Sequence, residues 1–306
     1  MSNSRNDTVA PLTPEYVAEI RKIAATLSPE SFEASLKLCA PLHSLEQNAV
    51  SGTVTLDLQY GPDDRHCLDL YCPPDIYAQP RPLILFIHGG GFDGGNRRMP
   101  GSYLYANVAA WANCHGFAAA LMSYRLAPAA RWPAGAEDIE RALGWLTQNA
   151  ARLGISSERI VAIGHSAGAT HLASWLAGHH SQSSATPNLR GAALISGIFE
   201  PASLPFAGAF AYYGDDLTPS RYSTVNGVST TNVPLLLVAA ELDPPEFKAQ
   251  WETVVSAREA TVGAKTTKFI APHQNHFTLV YHLGVQSDDL GFKMAEFVER
   301  CLERLG

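Results

Sequence analysis

The chain has 306 residues, 46% hydrophobic and 17% charged, a balance typical of a globular protein whose core holds without metal or disulfides. Its 22 basic and 29 acidic residues give a net charge of −7 with no basic block, which argues against a nucleic-acid partner. No run reaches the roughly 18 apolar residues of a membrane helix, and the opening MSNSRNDTVAPLTPEYV has no apolar stretch of leader length, so a cytoplasmic protein without membrane contact is expected.

Residues 1 to about 12 are polar. TPEYVAEIRKIAATL then carries helix signals: Thr13 as cap, Pro14 at the first helical position, and Tyr16, Ile20, Ile23 and Leu27 as one apolar stripe. SPESFEASLKLCA predicts a second helix, opened by Ser28 and Pro29. Near residue 50 the texture changes. SGTVTLDLQYG and RHCLDLYCPP read as strands joined by a turn at Gly61–Asp64. With no helix between them, they predict an antiparallel edge. RPLILFIHGG is a solid apolar run, the pattern of a strand buried on both faces. FAAALMSY, RIVAIGHS, GAALISGIF, PLLLVAAELD and TKFIAP repeat it, with helical stretches between most of them. In AEDIERALGWLTQNA, Ile139, Leu143 and Leu146 share a face. This alternation implies a mostly parallel sheet with helices on both sides. SQSSATPN, residues 181–188, reads as a surface loop. Residues 200–232 carry aromatics without a period, and a loop this long in a compact domain is usually functional.

Five cysteines, Cys39, Cys67, Cys72, Cys114 and Cys301, form an odd, scattered set with no C-x-x-C pair. Separate thiols in a reducing compartment are expected. No H-E-x-x-H or Cys/His cluster suggests a metal.

Gly164-His165-Ser166-Ala167-Gly168 follows an apolar strand and precedes a helix, the context of a nucleophile elbow. Side chains on either side of the serine would clash with the strand and helix that cross there, so both flanking positions are glycine. The side chain of His165 is expected to point away from the base. His88-Gly89-Gly90-Gly91-Phe92 ends an earlier buried strand. Its bare backbone can turn the amides of Gly90 and Gly91 toward one point, with Ala167 as a third donor, to stabilise an oxyanion.

A serine hydroxyl needs a base oriented by a carboxylate. In elbow enzymes the chain order is serine, acid, histidine. Asp243 stands at a late strand end in VPLLLVAAELDPPEF, with Glu241 as rival, while Asp215 and Asp216 look like turn residues. APHQNHFTLV offers His276 and His273, with His282 further on, and His276 followed by Phe277 is the preferred base. Phe92, Phe206, Phe210, Tyr212, Tyr213 and Phe277 are candidates for an apolar substrate pocket.

In their order, HGGGF, YRLAPAARWPAGAEDI, GHSAG, ELDPPEF and HQNHF resemble the α/β-hydrolase superfamily, and within it the hormone-sensitive-lipase-like carboxylesterases, from about residue 65 to the end. The resemblance implies an eight-stranded, mostly parallel sheet flanked by helices. It implies an N-terminal helical cap in residues 1–50 over a catalytic region, 51–306, as one domain overall. It also implies Ser166 as nucleophile, His276 as base and Asp243 as its partner. Gly90, Gly91 and Ala167 then form the oxyanion hole, a small-molecule ester is the substrate, and no cofactor is needed. A homodimer is implied by family likeness alone. Two features depart from the family pattern: G-H-S-A-G stands where G-D-S-A-G is usual, and the acid loop reads Asp-Pro-Pro-Glu. Histidine before the serine also resembles the kynurenine formamidases and feruloyl esterases, which brings in aryl amides as an alternative substrate. A non-catalytic ligand-binding relative, as the gibberellin receptors are, lacks the histidine that HQNHF keeps.

Overall fold

The computed structural model describes residues 12–23, 26–43, 52–74, 80–180, 189–218, 220–261, 266–285 and 288–303. The polar start and the expected surface loop 181–188 lie outside them. Eight strands form one sheet: β1 (Thr53–Gln59), β2 (Cys67–Cys72), β3 (Arg81–Ile87), β4 (Ala118–Met122), β5 (Ile155–His165), β6 (Leu189–Ile195), β7 (Leu235–Ala240) and β8 (Thr266–Ala271). Their order is β1-β2-β4-β3-β5-β6-β7-β8. As the missing helix predicts, β1 pairs antiparallel with β2, and β2 with β4. All other pairings are parallel.

The helices are α1 (Pro14–Lys22), α2 (Pro29–Cys39), α3 (Ala106–Cys114), α4 (Ala134–Leu153), α5 (Ala167–Leu176), α6 (Ala207–Tyr213), α7 (Val225–Thr230), α8 (Pro245–Glu259), α9 (Thr278–Tyr281) and α10 (Asp289–Leu302). The apolar runs serve two cores because strand side chains alternate. Leu83, Leu85 and Ile87 of β3 pack with Ile139, Leu143 and Leu146 of α4 and Leu172 of α5. Ile84 and Phe86 face the other way, toward Trp111 of α3 and Met294 and Phe297 of α10. The α4 stripe is buried as its spacing predicts.

Two expectations change. The first helix ends at Lys22, with Ile23 in extended backbone, so Ile23 and Leu27 do not continue its stripe. Ile20 is its buried residue, and Leu27 is exposed. The segment 200–232 is not one irregular loop. It holds α6, α7 and two short 3₁₀ turns, each too short for helical periodicity to show in the sequence. None of the five cysteines is in a disulfide. Among the described residues, no helix is long and apolar enough to cross a membrane, and no cluster of three or more His, Cys, Asp or Glu side chains is placed to hold a metal ion.

Near the amino end of α4, Gly135 lies against the buried His171 ring, where a Cβ would come within 2.1 Å of Nδ1. That ring is wedged by Tyr124, Tyr212 and Phe92 at centroid distances of 4.5, 5.0 and 5.4 Å and has nowhere to move. Gly135→Ala gains helix propensity of up to about 1 kcal/mol. The clash outweighs it, and a net loss of about 1–3 kcal/mol is expected as a lower urea midpoint with unchanged slope.

Candidate active site

The strand order brings the two glycine motifs together. β3 and β5 are parallel neighbours with Ile87 opposite Gly164, so the chains leaving them emerge side by side at the carboxyl edge. On one side HGGG begins, on the other GHSAG. Ser166 has φ 54° and ψ −121°, a strained conformation for a residue with a Cβ. The flanking glycines are required by contact. A Cβ on Gly164 would lie 2.5 Å from the Gly168 carbonyl oxygen, and one on Gly168 would lie 2.2 Å from that of Ile87.

The hydroxyl so presented meets a base. Ser166 Oγ is 2.9 Å from His276 Nε2. On the far side of the ring, His276 Nδ1 is 2.8 Å from Asp243 Oδ1. A carboxylate only accepts, so Nδ1 carries the proton and Nε2 is left to accept from the serine. Asp243 ends the turn after β7, and His276 follows β8. Asp243 is buried, and burial pushes its carboxyl up. Hydrogen bonds from His276, from Ser196 Oγ at 2.6 Å and from the Ala240 amide at 2.7 Å more than offset this, holding it below the usual carboxylate range.

The amides of Gly90, Gly91 and Ala167 donate to no protein acceptor among the described residues, and all three residues border the cavity that holds Ser166. Gly90 and Gly91 take φ of 140° and 62°, and a Cβ on Gly90 would lie 2.1 Å from the Gly94 carbonyl oxygen. The loop is braced from behind. Phe92 is buried and stacks on Tyr212 at 4.9 Å with planes 6° apart, and Gly208 of α6 is pressed to the Gly91 carbonyl, where a Cβ would stand at 1.9 Å.

The cavity measures about 1220 Å³. Phe92, Phe206 and Phe277 line it with Phe247, Ile198 and Tyr281, and Phe32 comes from α2. Three expected pocket residues do not line it. Phe210 is on the solvent side of α6, 40% exposed, while Tyr212 and Tyr213 are packed behind Phe92 in the apolar cluster that backs the cavity wall. The helical turn of α6 separates these residues, which an extended loop would have kept together. Rim residues include Asp93, Glu246 and Arg98. Arg98 is tied by its two terminal nitrogens to Asp57 and Asp69.

The rivals are placed elsewhere. Glu241 accepts from Arg21 at 2.6 Å and from the His273 amide at 2.7 Å. His273 itself is half-exposed, and His282 lies between Tyr16 and Gln274, each 2.8 Å away. Asp216 caps a turn through Thr218. His165 is not turned away from the base: its ring centroid is 5.1 Å from that of His276. The loop after β8 reaches back to the end of β5, where His165 Nε2 meets the carbonyl oxygen of His276 at 2.9 Å. Sequence reasoning also missed Ser196. Its one signal is a hydroxyl directly after the apolar run of β6, level with the ends of β5 and β7.

The BD-FAE family model matches residues 68–194. A kynurenine formamidase of Salmo salar is 27% identical over 236 residues, covering 74% of this chain and 76% of its own length. An ethyl acetate hydrolase of Pseudomonas putida is 31% identical over 216 residues, covering 61% of this chain and 65% of that one. The solved structure of a hyperthermophilic esterase from the archaeon Pyrobaculum calidifontis matches with a TM-score of 0.71 at 19% identity, over 95% of this chain and 99% of that one. The chain has the α/β-hydrolase fold. Human hormone-sensitive lipase is 30% identical over 163 residues, 47% of this chain and 15% of that one, a likeness in keeping with the resemblance that this chain's motifs carry.

Among the described residues, Ser196 is the one side chain besides His276 that bonds the Asp243 carboxylate. A hydrogen bond to a charged group contributes roughly 1.5–3 kcal/mol. Ser196→Ala is expected to lower kcat for ester hydrolysis about tenfold to a hundredfold, with KM nearly unchanged, in steady-state assays on p-nitrophenyl butyrate.

Proposed function

We propose that this chain is a serine-dependent carboxylesterase for uncharged esters of small to medium size, working through an acyl-enzyme. One observation carries the reading: the continuous Asp243–His276–Ser166 chain opens beside three unpaired amides in one apolar-walled cavity. Ser166 attacks the ester carbonyl while His276 Nε2 takes its proton. Asp243 steadies the imidazolium, and the amides of Gly90, Gly91 and Ala167 receive the oxyanion. His276 then protonates the leaving alcohol, and water repeats the sequence on the acyl-enzyme. This chemistry calls for no cofactor. The N-terminal residues 1–50 act as a cap over the catalytic region 51–306, a role supported by Phe32 and Pro29 at the cavity wall. Similarity to the Pseudomonas putida ethyl acetate hydrolase supports the ester as substrate.

Charge refines the substrate. Arg98 is the one cation lining the cavity among the described residues, and Asp57 and Asp69 already neutralise it. Asp93 and Glu246 stand at the rim without such a partner among the ion pairs. An anionic ester therefore meets net repulsion and no free counter-charge.

A second reading, hydrolysis of an aryl formamide, is favoured by the similarity to the Salmo salar kynurenine formamidase. The same groups cleave an amide if His276 protonates the departing nitrogen. Against it stands the lack of a free cation for the carboxylate of an amino-acid substrate such as N-formylkynurenine.

Ser166→Ala is expected to stay folded and to lose hydrolysis of p-nitrophenyl butyrate by on the order of 10⁶ in kcat. Retained turnover, or no labelling of the unaltered protein by a fluorophosphonate, overturns the mechanism. In a substrate panel, kcat/KM for p-nitrophenyl butyrate is expected to exceed that for the mono-p-nitrophenyl ester of succinate by about tenfold or more, an increment of about 1.4 kcal/mol. It is also expected to exceed that for N-formylkynurenine. A preference for the formamide moves the assignment to the second reading.

A further inference from the structure

Two imidazoles stand side by side at the nucleophile, and the Ser–His–Asp chain uses only one. His165, directly before Ser166, is buried, and its Nε2 is 2.9 Å from the main-chain carbonyl oxygen of His276. A carbonyl only accepts, so Nε2 carries the proton and Nδ1 is the bare nitrogen. Nδ1 is buried without a partner, and Gly89 is close enough that a Cβ there would stand 3.1 Å from it. The ring thus fills the gap between the glycine loop and the loop that carries the base.

The carbonyl it meets is passed over by the chain's own hydrogen bonding. As α9 begins, Leu279 N–H bonds Asn275, and Val280 and Tyr281 N–H both bond Phe277. Among the described residues, no backbone N–H reaches the carbonyl of His276, and the imidazole of His165 supplies its donor. Buried carbonyls need partners, and this one belongs to the residue whose ring must stay aligned with Ser166 Oγ. Asp243 fixes the ring by its Nδ1 but leaves the main chain beneath it free to shift.

We infer that His165 is a positioning residue: its Nε2–H anchors the backbone of His276 and keeps that imidazole in line with Ser166. This rests on the Ser166–His276–Asp243 reading above. Burial, and then the neighbouring His276, push the His165 imidazole down to about 3, so the donor stays neutral throughout the working range of a serine hydrolase. An aspartate at this position, the family's usual residue, has no proton to offer the carbonyl when ionised. The histidine of G-H-S-A-G is therefore a different device and not a conservative replacement.

The geometry supplies a sharp test, because a glutamine amide nitrogen lies as many bonds from Cβ as histidine Nε2, and an asparagine amide nitrogen as many as Nδ1. His165→Gln, His165→Asn and His165→Ala are compared by kcat and KM on p-nitrophenyl butyrate and by the rate of fluorophosphonate labelling, with thermal melting as the folding control. Gln is expected to stay within about threefold of the unaltered protein, while Asn and Ala lose about tenfold to a hundredfold in kcat with KM nearly unchanged, the scale of a misplacement near 1 Å. If Ala fails to fold, the Gln–Asn pair decides. Equal activity in all the folded variants overturns the inference, and so does an equal loss in Gln and Asn, which would make the ring's bulk the operative property. A failure of the underlying mechanism registers separately, as activity surviving in Ser166→Ala.

Discussion

Where β3 and β5 run parallel, Ile87 stands opposite Gly164, and the two chains leave the sheet with almost no space between them. That close approach is the constraint on which the site depends. It demands a bare backbone at Gly164 and Gly168, forces Ser166 into positive φ, and sets the free amides of the HGGG turn next to its hydroxyl. Base and acid arrive from β8 and β7, further along the same edge, which is where a parallel sheet delivers its loops. The proposed catalytic groups, scattered over more than a hundred residues, thus meet because every one of them sits just past a strand's carboxyl end.

The electrostatics around this point are spare. His88, His165, His171 and His282 are all pushed by burial to about 3 and are neutral near pH 7. Among the described residues, Asp243 is the buried carboxylate bonded to the base. Other buried carboxylates fasten chain to chain. Asp69 is held by Arg97 and Arg98, and Asp138 by Arg125 and His66. Removing one partner of such a pair strands the other in low dielectric, so these clusters specify loop position more than they add stability.

The sheet and the candidate reacting groups were legible in the sequence because local sterics wrote them there. Solid apolar runs mark strands covered on both faces, and glycines beside Ser166 mark a turn that tolerates no Cβ. Asp243 and His276 were legible by their rank after the last two strands. What escaped was set by distant contacts. The orientation of His165 depends on a loop more than a hundred residues away, and Ser196 acquires its meaning only when β6 lies beside β7. The α6 residues were misassigned because a seven-residue helix leaves no period to read, and its turn sends Phe206 to the cavity, Tyr212 behind Phe92 and Phe210 to solvent. The apolar stripe proposed for the first helix failed at Ile23, whose extended backbone ends the helix early.

The first two helices grip the machinery at several points: Arg21 on Glu241, Tyr16 on His282, Ser35 on Asn275, and Phe32 edge-on against Phe277. Yet α1 buries a single residue, Ile20, and α2 buries Ser31, Ser35 and Cys39. Segments with so little apolar anchorage open at lower free energy than the body of a protein. The imidazole proposed to move the proton is therefore moored to segments with little apolar burial. On heating, turnover by the proposed mechanism is expected to fail when that mooring slips, ahead of the sheet's own collapse, a gap that rate and far-ultraviolet ellipticity recorded on one temperature ramp would reveal.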